Sequence, residues 1–96
     1  MNLHTLNRSP ADSRVYQQTL QAMGHDDQLL LIEDGVQGAL PQLVRYFEDV
    51  EGRVYALKED LEARGLLGLC ADNVHVVDVD GFIELTEQAD KTITWY

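Results

Sequence analysis

One thiol, three imidazoles and a set of acids at predicted turns are the side chains of this sequence with chemistry to offer. Cys70, in the stretch GLLGLCADN, is the only thiol. Sulfur transfer needs a thiolate, and a thiolate forms near neutral pH only beside a cation or a positively polarised helix end. No His, Lys or Arg adjoins Cys70 in sequence, and Asp72 opposes its ionisation. The stretch predicts a buried, inert thiol, with a transfer cysteine at Cys70 as the alternative. One cysteine also excludes an internal disulfide or a thiolate zinc site made within one chain.

His4, His25 and His75 are too dispersed to form a metal-ligand pattern with the acids, so no metal is expected. His4 and His75 fall in strand-like segments and read as satisfied structural imidazoles. His25, beside Asp26 and Asp27, reads as a solvent-facing loop residue. Glu33 and Asp34 are neighbours, but adjacency does not set two carboxyls on opposite sides of a bond for acid-base work. Gly35-Val36-Gln37-Gly38 lacks the ordered glycines that bring a helix amino terminus to a pyrophosphate, and no Walker Gly-Lys-Ser/Thr follows. No cofactor is expected, and no catalytic residue beyond the Cys70 alternative.

The elements that must position these residues alternate in period. Asn2 to Leu6 predicts a first strand, closed by the turn-prone Asn7-Arg8-Ser9-Pro10. Residues 12 to 24 predict a helix, with Val15, Tyr16, Thr19, Leu20 and Met23 on one face and Gly24 as its C′ residue. The run Gln28 to Ile32 lacks alternation and predicts a central strand buried on both sides. Val36, Ala39, Leu40, Leu43, Val44 and Phe47 recur at helical spacing; Pro41 sets that helix to begin near Leu40, or at Pro41 itself as N1. Arg53 to Leu57 predicts a third strand, Lys58 to Arg64 a short helix stopped by Gly65, and Val74 to Val77 a fourth strand. Asp78 to Gly81 leads into a helix whose packing face is Val79, Phe82, Ile83 and Thr86, and Thr92 to Tyr96 supplies a fifth strand.

The intervals between strands suit helical crossovers and are too long for tight hairpins. The fold class is therefore α/β: one domain over residues 1–96, a mostly parallel five-stranded sheet with helices on both faces. Strand order does not follow from these rules. A parallel sheet would gather Asn7, Arg8 and Ser9; Glu33, Asp34 and Gly35; Lys58, Glu59 and Asp60; and Asp78 at its carboxyl edge, where open α/β sheets bind ligands. The favoured reading of Asp34-Gly35 and Asp80-Gly81 is nonetheless as turn residues and helix caps, with a functional rim as the alternative. A stand-alone small-molecule module at that edge is one reading of the function.

The formal charge of −10 opposes direct binding to a nucleic-acid backbone. The start MNLHTLNRSP has no signal-peptide pattern, and no apolar run approaches the ~20 residues that span a bilayer, so a cytoplasmic location with no membrane contact is expected. Tyr46, Phe47, Tyr55, Phe82, Trp95 and Tyr96 read as core or ring packing, with the terminal Trp95 and Tyr96 also suited to a subunit contact.

LHTLNRSP at 3–10, LLLIEDGV at 29–36, VYALKEDLEARGL at 54–66, VVDVDGFIELT at 76–86 and the ending TITWY together closely resemble the DsrH/TusB family, in order and over nearly the whole chain. The resemblance implies a small three-layer DsrE-like α/β subunit. It further implies TusC-like and TusD-like partners in a two-plus-two-plus-two heterohexamer that accepts persulfide sulfur from an upstream carrier. The sulfur then passes toward 2-thiolation of the wobble uridine of certain transfer RNAs. The principal transfer cysteine lies on the TusD-like subunit, so this chain would be an accessory subunit of a sulfurtransferase complex, not an enzyme by itself. Gly35, the rim acids and the terminal aromatics would support the assembly. The related DsrH branch serves cytoplasmic sulfur oxidation, and its members can carry a cysteine in the first helix. Here Val15 to Gln21 contains none, and Cys70 lies much later. That departure favours the TusB-like branch over a DsrH-like carrier using Cys70.

Overall fold

The computed structural model describes residues Met1–Tyr96. Its strands are β1 (Asn2–Leu6), β2 (Gln28–Leu31), β3 (Val54–Leu57), β4 (His75–Val77) and β5 (Lys91–Trp95). Between them run α1 (Ser13–Ala22), two 3-10 helices (Glu33–Ala39 and Val44–Val50), α2 (Lys58–Ala63), a 3-10 turn (Leu67–Leu69) and α3 (Val79–Gln88). The strands form one sheet in the order β4-β3-β2-β1-β5. Every pairing is parallel, which sharpens the expected mostly parallel sheet.

Crossover handedness explains how the helices divide between the faces. The chain steps from β1 to β4 in one direction, so right-handed crossovers put α1, the 3-10 helices and α2 on one face. The return from β4 to β5 runs the other way, and the same rule puts α3 on the opposite face. The core splits accordingly. Leu6, Leu29, Leu31, Val54 and Ala56 pack with Tyr16, Val36, Phe47 and Leu61, while Leu3 and Leu30 pack with Leu85. β2, the middle strand, sends Leu29 and Leu31 to one core and Leu30 to the other, which is why its sequence does not alternate.

Residues 33 to 50 differ from expectation. No α-helix starts at Leu40 or Pro41; a 3-10 helix fills Glu33–Ala39 and a second, kinked at Phe47 (φ −107°, ψ 20°), fills Val44–Val50. Pro41 has no N–H and confines the residue before it to extended backbone, and Leu40 is extended (φ −68°, ψ 145°). Two glycines let the first 3-10 helix lie flat on its neighbours. A Cβ at Gly35 would overlap the Leu6 carbonyl, and one at Gly38 would sit 3.1 Å from the Tyr16 hydroxyl and 3.2 Å from the Phe47 ring.

Two helix details are also corrected. α1 ends through an extended Met23, and Gly24 does not take the left-handed C′ form; its N–H donates to Asp27 Oδ2 at 2.8 Å instead. In α3 the line toward the sheet is Phe82, Leu85 and Ala89, whereas Val79 and Ile83 are 46% and 49% exposed on its flank. Gly65 does end α2, with φ of 68°.

Candidate functional site

The carboxyl edge of the sheet brings the expected acids together and uses them on each other's loops. Glu33, the first residue after the extended Ile32, has φ of 50°, a left-handed conformation uncommon for a residue with a side chain. Its N–H donates to Asp60 Oδ2 at 2.6 Å. Arg64 closes the cluster: Nε and Nη2 donate to Asp34 Oδ1 at 3.2 and 3.1 Å, and Nη1 donates to the Asp60 carbonyl at 3.4 Å. Glu59 Oε2 accepts from Val79 N at 3.4 Å, and Asp78 Oδ1 caps α3 by accepting from Gly81 N at 2.9 Å. Lys58 faces Glu62 at 3.8 Å, and Ser9 Oγ accepts from Ala11 N at 3.1 Å. Most of the edge residues thus act as caps and clasps, while Asn7, at the end of β1, keeps a buried Oδ1 without a partner. Arg64 was not read as part of this edge, because its place there depends on α2 lying beside the first 3-10 helix.

Beneath the edge, the Tyr16 hydroxyl donates to the Arg8 carbonyl at 2.9 Å, with the Gly35 carbonyl 3.3 Å away. Burial pushes that hydroxyl well above the usual tyrosine range. Tyr16 therefore ties the β1 turn to the first 3-10 helix as a neutral donor.

Cys70 is half-buried against the larger core, rather than fully buried as expected, and its thiol lies 3.7 Å from the Ala71 carbonyl. Burial, and then the charge of Asp72, push the thiol up from its ordinary value. A nucleophilic thiolate is disfavoured there at neutral pH. No three His, Cys, Asp or Glu side chains converge to hold a metal ion.

The histidines separate in environment. His25 is exposed, as expected. His75 is also exposed, its Nε2 3.2 Å from the Gly52 carbonyl and its ring 5.0 Å from that of Tyr55, because β4 is an edge strand. His4 is buried between two partners: Nε2 lies 3.0 Å from Asp27 Oδ2 and Nδ1 lies 3.0 Å from Trp95 Nε1. An indole N–H only donates, so Nδ1 is the acceptor and Nε2 carries the proton given to Asp27. Asp27 is 5% exposed and also accepts from Asn2 N and Gly24 N. Burial alone would raise its carboxyl, but the Gly24 and Asn2 amides and His4 outweigh it and hold it at about 2. Sequence reasoning assigned Asp27 no role, naming it only as a neighbour of the solvent-facing His25; what buries it is the pairing of Leu3 with Gln28, which seats the residue before β2 beside Asn2. Trp95 goes to the core and Tyr96 stays 75% exposed.

A small all-parallel α/β protein, with most of its edge acids engaged in caps and clasps and its one thiol unactivated, is the class that this geometry defines. The chain superposes on the crystal structure of the ychN protein from E. coli with a TM-score of 0.71, covering 97% of both chains at 20% identity, which places it in the DsrE-like fold. The family model described as DsrH like protein matches residues 8–92. Among curated relatives, Protein TusB of Escherichia coli (strain K12) is 38% identical over 96 residues, covering 97% of this chain and 99% of that one. Protein TusB of Shigella sonnei (strain Ss046) is 39% identical over 98 residues with the same coverage. This chain belongs to the DsrH family.

Proposed function

We propose that this chain is a noncatalytic subunit of a sulfur-relay complex, assembled with TusC-like and TusD-like chains in a two-plus-two-plus-two heterohexamer. The relay passes sulfur toward 2-thiolation of transfer-RNA wobble uridine. The observation that carries this reading is the near end-to-end identity of 38% to relatives named Protein TusB. In the transfer step, an acceptor thiolate attacks the outer sulfur of a donor persulfide. The donor S–S bond breaks, the donor cysteine leaves as a thiolate, and the acceptor becomes the persulfide, so no oxidant is consumed. Both sulfurs would belong to other subunits or carriers. The raised Cys70 thiol supports that assignment, because an attacking group needs thiolate at working pH.

The test is native mass spectrometry of the chain purified at endogenous expression, with peptide identification of each partner. The expected result is a complex containing two DsrE-type sister chains, one of them carrying a persulfide-modifiable cysteine. A Cys70→Ser variant should assemble and pass sulfur at the wild-type rate. Persulfide on Cys70, with transfer lost in that variant while the complex stays intact, would instead establish a direct carrier of the sulfur-oxidation type.

A further inference from the structure

The two faces of the sheet are covered unequally. α1, α2 and both long 3-10 helices cover the first face, while α3 alone crosses the second. A helix with its side chains is about 10 Å wide, and five strands about 4.8 Å apart span nearly twice that, so one helix leaves sheet open beside it. Along that opening α3 presents Val79 and Ile83, an i,i+4 pair about half-exposed. Parallel to them on the same helix runs a second stripe, Asp80, Glu84 and Glu87, all exposed and with no cation within ion-pair distance.

Like charges at i,i+4 weaken a helix. Asp80 and Glu84 stand so, and from Asp78 to Asp90 no Lys or Arg offsets them. Asp80, in the first turn of α3, suits the helix dipole, but Glu84 and Glu87 bring nothing to the isolated fold, and the apolar pair beside them is only half-buried. Both features are resolved by one occupant: a protein surface with an apolar ridge to cover Val79 and Ile83, and Lys or Arg side chains running alongside. A second copy does not fit. A two-fold contact through α3 would bring two acidic stripes of a chain of net charge −10 together.

We infer that the α3 face is the docking surface for a different chain, one presenting a basic-edged apolar patch, and not for self-association. This rests on the relay-subunit reading, in which the sister subunits supply that patch. The experiment coexpresses the chain with the TusC-like and TusD-like chains of its own genome and follows assembly by native mass spectrometry and sedimentation. Three forms are compared: wild type, Val79→Ser/Ile83→Gln, and Asp80→Asn/Glu84→Gln/Glu87→Gln. Both sets of substitutions are at exposed positions, and thermal unfolding of each isolated chain checks the fold. The apolar variant should lose assembly at least tenfold. The amide variant should weaken it several-fold and flatten its dependence on salt. Wild-type assembly by both variants would overturn the docking surface while leaving the relay reading standing. A wild-type chain that never joins the sister chains would overturn both, and a stable homodimer broken by the apolar variant would overturn the choice of partner.

Discussion

Asp27 carries an energetic role that its place in a polar loop sequence conceals. Its folded value of about 2 lies below the ordinary carboxyl value of 3.8, so its ionised form stabilises the fold. That contribution is complete above the unfolded value and disappears as pH falls through about 4 and on to the folded value. Wild type should lose stability on acidification from pH 5 to pH 2, and Asp27→Asn should flatten that loss while costing about 2 kcal/mol at pH 7. Urea denaturation at several pH values reads both effects; an unchanged slope in the variant would show that other carboxylates carry the acid response. On the far side of His4, Trp95→Phe removes the only donor to Nδ1 and leaves a buried acceptor unpaired, a loss of about 1–3 kcal/mol. Ring nitrogen shifts of His4 should report the Nε2-protonated tautomer in wild type and in the variant, because Asp27 still accepts from Nε2, while the Nδ1 resonance moves as it loses its donor. None of this trio was legible from spacing. His4, Asp27 and Trp95 meet only because β1 lies between β2 and β5, and strand order is set by crossovers, not by periodicity.

At the scale of elements, legibility followed how much of each signal was local. The unalternating Leu29-Leu30-Leu31 announced a strand between two layers, and it is the middle strand. The segment after it misled because spacings of three and four residues suit a 3-10 helix nearly as well as an α-helix. Only Pro41 and the two glycines hinted that backbone contacts, rather than a regular helix, would shape it. α3 misled differently: Val79 and Ile83 were assigned to the packing face because they are apolar, although a flank awaiting a partner looks the same in sequence. The glycines provide the test. Gly35→Ala drives a methyl into the Leu6 carbonyl and should cost about 3 kcal/mol, since backbone there has no room to yield. Gly52→Ala meets open space at φ of 85° and should cost only about 1 kcal/mol, the penalty of left-handed backbone. Equal losses in urea denaturation would mean that Gly35 serves conformation and not close approach.

Across the whole molecule, charge acts in two directions at once. The chain carries −10 within a radius of gyration of 11.8 Å, close to the screening length of about 10 Å at 0.1 M salt, so most of its carboxylates repel one another at low ionic strength. The attractive surface pairs, among them Arg64 with Asp34, Lys58 with Glu62 and the Met1 ammonium with Asp90, lie at the solvent and contribute little, at most about 1 kcal/mol for a side-chain pair. Repulsion therefore dominates the isolated chain, and screening it with sodium chloride should raise its Tm by a few degrees between about 20 mM and about 300 mM. Assembly on the α3 face has the opposite sign, because an acidic stripe meeting cations loses attraction as salt rises. Circular dichroism of the isolated chain and sedimentation of the complex over the same salt series should move apart, the fold strengthening while the complex weakens. A complex that strengthens with salt would mean that its contact is held by apolar area alone. The acids of α3 would then be a solubility device, which no longer tells a sister chain from a second copy.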